Sequence, residues 1–332
     1  KLYKIILFYL IKNIYDFIWH NILNFKGRIH YLVWIVTNRK KNFFDLEKND
    51  KKIIKNNPYF SKISEEIYTY CKNNLLEKSK EELVNSTGDI DKNPTNSGQN
   101  TYSQDILDRL PVDLKKEIFK LAHSDLLITS ALNYLKVFPI VDKISLTHNI
   151  PKNANKVRGA MLWHKDDFGY KSFDIFMAIS DIDEMSGPLM CVEEKNKFGV
   201  FYKNKHENVS TNDFTRGERG KISIDFYENN KLKILKLLGK KGTALLIDSF
   251  TVYHRGGHCI SNDRLVLRIS YQTPDAIRVS KEKPKYLDKF DKFEFKLNYF
   301  TKYLYFSRPS NFILFIRDYL IKFYRILHIK EI

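Results

Sequence analysis

Cysteine is scarce: the 332 residues hold only Cys71, Cys191 and Cys259, all far apart. That excludes a disulfide framework and a zinc site built on short cysteine spacings, and it makes a reducing, cytoplasmic compartment the expectation. Long apolar runs are missing as well. Residues 1–25 are apolar and aromatic, but Lys12, Asn13, Asp16, His20, Asn21 and Asn24 interrupt them before a bilayer-spanning length is reached. No compact apolar stretch followed by small residues marks a secretory signal. The first residue is Lys1 rather than Met, so residues preceding it are expected. Negative charge is the third deficit: 39 Asp and Glu stand against 56 Lys and Arg, a net charge of +17. Such an excess invites an acidic partner. Yet no recognition helix, zinc finger or aromatic-basic sheet motif accompanies it, and Lys, Asn and Ile dominate the unconstrained stretches 48–57 and 72–81. Nucleic acid is therefore not an expected partner. No internal repeat of fixed period is present.

What is there suffices for a full-sized core, with 43% hydrophobic and 14% aromatic residues. Lys12, Asp16, His20 and Asn24 recur every fourth position and leave one polar stripe on an otherwise apolar helix. Residues 311–330 repeat the pattern, with Arg317, Lys322, Arg325 and Lys330 among Phe, Ile, Leu and Tyr. These terminal helices either pack on the central domain or lie flat on a membrane with their basic residues toward anionic headgroups. Peripheral membrane contact is thus one expectation for partners.

The stretch GDIDKNPTNSGQNTYS, residues 88–103, is nearly devoid of apolar residues and reads as an exposed loop or linker. Residues 1–87 before it form a helical, basic and aromatic extension. Apolar positions at helical spacing follow over 105–136, with Pro111 and Asp113 marking a helix start. Between residues 137 and 274 the apolar runs shorten and alternate, as in KISLTH, SFDIFMAISDI, GPLMCVEE, GTALLIDSF and LVLRISYQT. Short strands at this spacing predict a mainly β core, a sandwich or barrel. The β domain is placed at 104–280, with a polar insertion at about 203–240, and a C-terminal helical extension occupies 281–332.

In LWHKDDFGY, His164 and Asp166 lie two apart, so on an extended strand both side chains share one face, as two ligands of one metal ion require. A third ligand has to come from elsewhere in the sheet. His254 in DSFTVYHRGGH closes an apolar strand 88 residues beyond Asp166. His258 is the alternative, although it follows Gly256 and Gly257 in a turn. Two imidazoles and one carboxylate on one face of iron(II) leave three positions for a chelating keto acid and dioxygen. The keto acid's far carboxylate needs a fixed guanidinium. Arg264 lies ten residues after His254, and Arg268, of the same strand parity, is the fallback. Asp167 has the opposite parity and points outward. Against this stands a plain reading in which a surface His-Asp pair and a core histidine have nothing to do with one another.

Taken in order, LNYLKVFPIV, the WHKDD box, ISDIDEMSGPLMCVEE, KGTALLIDSFTVYHRGG and NDRLVLRISYQT make residues 105–273 resemble the phytanoyl-CoA dioxygenase family of iron and 2-oxoglutarate oxygenases. The resemblance implies a double-stranded β-helix, a cupin-like jelly-roll barrel flanked here by N- and C-terminal helices. It further implies that His164, Asp166 and His254 are the iron ligands and that Arg264 holds 2-oxoglutarate. The activity implied is a dioxygenase consuming O2 and 2-oxoglutarate, hydroxylating a small-molecule or lipid-linked substrate, and releasing succinate and carbon dioxide. The carboxylate at Asp166 favours hydroxylation over halogenation, since related halogenases replace it with a small residue. Two departures stand out. Glu193-Glu194-Lys195-Asn196 replaces the Pro-Gly-Ser-His turn of many relatives, and the step from His254 to Arg264 is about one residue short. Two rival functions are a non-catalytic barrel serving as a binding or membrane-surface scaffold, and a cupin-like metal enzyme that uses no keto acid.

Overall fold

The structure, a computed structural model, describes residues 21, 24–36, 53–85, 102–151, 166, 171–192, 234–252 and 254–274. Most of the apolar helix expected over residues 1–25, most of the 88–103 loop, most of the 203–240 insertion, the 281–332 extension, His164 and Asp167 lie outside the described residues. The helical segment α1 spans 24–36. Strand β1 (Ile53–Ile54) leads to α2 (Pro58–Asn74), which starts where the Asn57 side chain accepts from the amides of Tyr59 and Phe60, with Pro58 in the first turn. Phe60, Ile63, Ile67 and Cys71 form its buried stripe. Helix α3 (Leu76–Asn85), strand β2 (Ser103–Asp105), helices α4 (Val112–Ala122) and α5 (Asp125–Leu135) and strand β3 (Ile140–Asn149) follow. Pro111 precedes α4, as the helix-start signal requires, and Ser124 caps α5.

The remaining strands are β4 (Ser172–Ala178), β5 (Met190–Val192), β6 (Ile234–Lys236), β7 (Ala244–Ile247), β8 (His254–Arg255) and β9 (Arg264–Gln272). Each alternating run read from the sequence contributes one strand, KISLTH giving β3 and the other four β4, β5, β7 and β9, and the described core is mainly antiparallel β with helices. β6 forms at residues 234–236, inside the stretch read as insertion, because Ile234 and Leu235 pair with Val192 and Cys191 of β5. One sheet has the order β1-β7-β4-β9-β3-β2 and the other β6-β5-β8.

Side-chain parity divides the core in two. Leu265, Leu267, Ile269 and Tyr271 of β9, with Phe173, Ile175 and Met177 of β4, face the helices and pack with Phe60, Ile67, Phe119, Leu127 and Tyr134. Residues 53–85 thus share one core with the β domain. On the opposite face, Val266, Ala178, Leu245 and Ile247 pack with Cys191, Leu189 and Leu237 beside the smaller sheet. Arg264, Asp174 and Arg268 have the parity of this second face, between the sheets. Helix α3 is pinned to β3 through His148, whose Nδ1 lies 2.9 Å from the Ser79 hydroxyl.

The loops at the site end interlock. Gly187 has φ +62, and a Cβ there would lie 2.2 Å from the His258 carbonyl carbon; a Cβ on Gly257 would lie 2.5 Å from the backbone of Gly187 and Pro188. Only glycine permits both the left-handed turn and the approach. We expect Gly187→Ala to lower stability by roughly 1–3 kcal/mol, read from urea unfolding with unchanged slope. An undiminished midpoint would contradict the close approach.

Candidate functional site

Two charged residues placed inside otherwise apolar strands begin the site. Asp174 of β4 is 0% exposed and Arg268 of β9 lies diagonally across from it, next to Phe176 in register. Arg268 donates from Nε (3.1 Å) and Nη2 (2.8 Å) to Asp174 Oδ1, and its guanidinium carbon lies 5.0 Å from the centre of the Phe176 ring. The other Asp174 oxygen accepts from the Ser172 hydroxyl at 2.6 Å, so both of its oxygens are satisfied. Nη2 also reaches Asp166 Oδ2, at 3.2 Å. Burial opposes the charge on Arg268, but Asp174 and Asp166 outweigh it and hold the guanidinium's pKa above its ordinary value.

The segment after β7 supports this arrangement from the other side. Buried Asp248 accepts from the Tyr134 hydroxyl at 2.7 Å and from the amides of Ser172 and Phe250, each at 3.1 Å. Burial pushes its carboxyl above the usual range, against the pull of these donors. Ser249 next to it donates its amide to the Ser172 hydroxyl at 2.9 Å and accepts from the Asp166 amide at 2.9 Å. A continuous polar chain thus runs from α5 through Asp248, Ser172 and Asp174 to Arg268 and Asp166.

His254, 4% exposed on β8, completes the described site. Its Nδ1 lies 3.2 Å from the Val252 carbonyl, which can only accept, so Nδ1 carries the proton and the lone pair of the neutral ring resides on Nε2. Nε2 stands 4.0 Å from Asp166 Oδ2. That is too long for a hydrogen bond. Two neighbouring ligands of one ion with bonds of about 2.0–2.2 Å stand roughly 3 Å apart, so the two groups would close by about 1 Å around a shared ion.

Arg264 is the second guanidinium on the inner face of β9, about 13 Å along the strand from Arg268 at ~3.3 Å per residue. It is 6% exposed. Its Nη1 donates only to the Gly257 carbonyl at 3.3 Å, and its Nε has no partner among the described residues. The groups acting on its charge are Cys259 and Tyr102, and burial lowers its pKa. Burial likewise pushes the Tyr102 phenol up to about 12, which keeps it a neutral neighbour.

Of the residues expected from sequence, the structure therefore brings Asp166 and His254 together and buries Arg264 on the same inner face. His164 lies outside the described residues, and among those residues no group of three His, Cys, Asp or Glu converges. His254, not His258, faces Asp166; the Nδ1 of His258 is buried in the interlocked loop. Asp174, Ser172, Asp248 and Tyr134 escaped the sequence reading. The available signal was an acidic residue at inward parity within SFDIFMA, matched by an arginine within LVLRISY.

No family model and no curated protein sequence matches this chain. Among solved structures it is similar to EctD from S. alaskensis with bound Fe, at 15% identity and TM-score 0.42, covering 78% of this chain and 80% of EctD. It is also similar to the non-heme alpha-ketoglutarate-dependent carbocyclase SnoK from nogalamycin biosynthesis, at 12% identity and TM-score 0.36, covering 70% of this chain and 87% of SnoK. A third is the non-heme alpha-ketoglutarate-dependent epimerase SnoN, at 13% identity and TM-score 0.32, where 48% of this chain spans 58% of SnoN. At such identities and scores these likenesses decide nothing about the present chain, whose chemistry has to be read from its own residues.

Proposed function

We propose that this protein is an iron(II)- and 2-oxoglutarate-dependent dioxygenase of the phytanoyl-CoA dioxygenase type, built on a double-stranded β-helix and hydroxylating a small-molecule or lipid-linked substrate. The observation that carries this reading is Arg264. Burying a guanidinium costs several kcal/mol unless an anion meets it, and among the described residues only neutral groups and a carbonyl surround this one. A dicarboxylic keto acid supplies the missing anion. Its keto-acid end would reach an ion held by Asp166 and His254, whose Nε2 lone pair and carboxylate suit a divalent cation. His164 is the third ligand in this reading.

When bound, iron and 2-oxoglutarate supply the oxidising power, with succinate and carbon dioxide as products. The chain's own residues do the rest. Val252 fixes the His254 tautomer, Ser249 anchors the Asp166 backbone, and Arg264 orients the keto acid by its far carboxylate. Arg268 is the weaker candidate for the keto-acid cation in this reading, since its Nε and Nη2 donors are committed to two carboxylates.

The test is anaerobic addition of iron(II) and 2-oxoglutarate, followed by the visible charge-transfer absorption of the chelate. The band is expected in the wild type and absent in His164→Ala. Arg264→Ala should weaken 2-oxoglutarate binding roughly 10- to 100-fold, the worth of a hydrogen-bonded charged contact of about 1.5–3 kcal/mol. Bound iron without a band would favour a metal enzyme of another kind, and no iron binding at all would favour a scaffold.

We propose in addition that α1 meets an anionic lipid surface. Among the described residues no helix is long and apolar enough to cross a membrane. α1 is clamped by its inner side: Gly27 accepts from the Phe138 amide at 2.9 Å, a Cβ on it would lie 2.6 Å from Val137, and Trp34 packs edge-on against Phe138. Its outward side carries Phe25 (64% exposed), Ile29, Leu32, Val33 and Val36, with exposed Lys26 and Arg28 beside them. An apolar stripe edged with cations on a chain of charge +17 complements an anionic bilayer. Flotation with phosphatidylserine-containing vesicles should recover the intact chain, whereas neutral vesicles, or the Leu32→Glu/Val36→Glu variant, should not. No flotation of the wild type would overturn the proposal. So would a dimer that the same substitutions disperse, because a second copy would then own the face.

A further inference from the structure

We infer that Asp174 and Arg268 are positioning residues for Asp166, an inference that rests on the reading of Asp166 as a metal ligand. Asp174 is fully buried on β4, and its two oxygens are consumed by Ser172 and by two N–H groups of Arg268. The guanidinium plane is thus held by a carboxylate at its edge and by Phe176 at 5.0 Å. Nη2 is the one donor it shares, and that donor reaches Asp166 Oδ2. Asp166 belongs to no regular element, so Arg268 and the backbone bond to Ser249 are what aim its carboxylate at His254.

The charges add a second argument. Two carboxylates share one guanidinium, which leaves an excess of one negative charge where a divalent cation would sit. Asp174 keeps Arg268 from neutralising Asp166: with its nearer N–H groups committed at 2.8 and 3.1 Å, Arg268 spares only a longer contact of 3.2 Å for Asp166. Without Asp174 the guanidinium would turn wholly to Asp166 and compete with the metal. A side chain that never touches the ion would therefore control its affinity.

The test is manganese(II) titration of the full-length chain, followed by electron paramagnetic resonance and calorimetry without keto acid. Asp174→Asn should weaken manganese binding roughly 10- to 100-fold. Adding Arg268→Gln to it should recover part of that loss, several-fold over the single variant, because the competing cation is gone, while the lost grip on Asp166 keeps affinity below wild type. A purely structural role predicts the opposite, a double variant at least as weak as the single. Unchanged affinity in Asp174→Asn, or no recovery in the double variant, would overturn the inference. If Asp174→Asn does not fold, Arg268→Lys carries the test, since lysine keeps the charge but not the two-pronged grip; it should bind manganese about tenfold more weakly, and wild-type affinity there would overturn the inference. Absence of manganese binding by the wild-type chain would instead sink the metal-site reading, and this inference with it.

Discussion

The site depends on one buried ion pair, Arg268 with Asp174, formed across neighbouring strands of the larger sheet. It is costly to make, because both groups leave water, and it holds only because Ser172 and Phe176 complete the surroundings of each partner. What it secures is direction. Asp166 itself belongs to no helix or strand, yet its carboxylate points at the His254 ring because a fixed donor meets it there. Removing either member of the pair would leave the other charged and buried, so the pair behaves as one unit with the strands that carry it.

The two arginines of β9 show how environment divides like residues between roles. They share a strand and a parity, and both are removed from bulk water. Arg268 meets two carboxylates and is locked in place. Arg264, four residues away on the same strand, donates to a carbonyl, and burial lowers its pKa against the pull of a neighbouring thiol and phenol. Carboxylates on both sides make the first a fixed part of the architecture, whereas the second, under the proposed function, is the receptor for an anion. The glycine-lined interlock of residues 187–188 with 257–259 holds Arg264 in place, since Gly257 contacts both the opposing loop and Arg264.

Much of this was legible in the sequence, for physical reasons. Period-two alternation reports a strand that buries one face, and KISLTH, SFDIFMAISDI, GTALLIDSF and LVLRISYQT all became strands of the larger sheet. The expectation that Asp166 and His254 meet rested on residue type and spacing, and in the structure they face each other. Sequence alone could not separate Arg264 from Arg268, because what distinguishes them is the partner each one finds in the fold. Asp174 and Asp248 went unread for the same reason: a buried acid is recognised by its contacts, and those lie 94 and 114 residues away in sequence. β6 was hidden because its three residues sit at the end of a polar stretch and owe their strand form to β5 rather than to any pattern of their own.

The central claim is that this inner face holds a cation between Asp166 and His254 and an anion on Arg264. The most direct measurement is anomalous diffraction at the iron edge from crystals grown anaerobically with iron(II) and 2-oxoglutarate. The account predicts a single iron peak bonded to His254 Nε2 and to the Asp166 carboxylate, with the far carboxylate of 2-oxoglutarate on the Arg264 guanidinium and Arg268 still seated on Asp174. Iron bound elsewhere, or a keto acid seated on Arg268 with Arg264 left unmet, would contradict it.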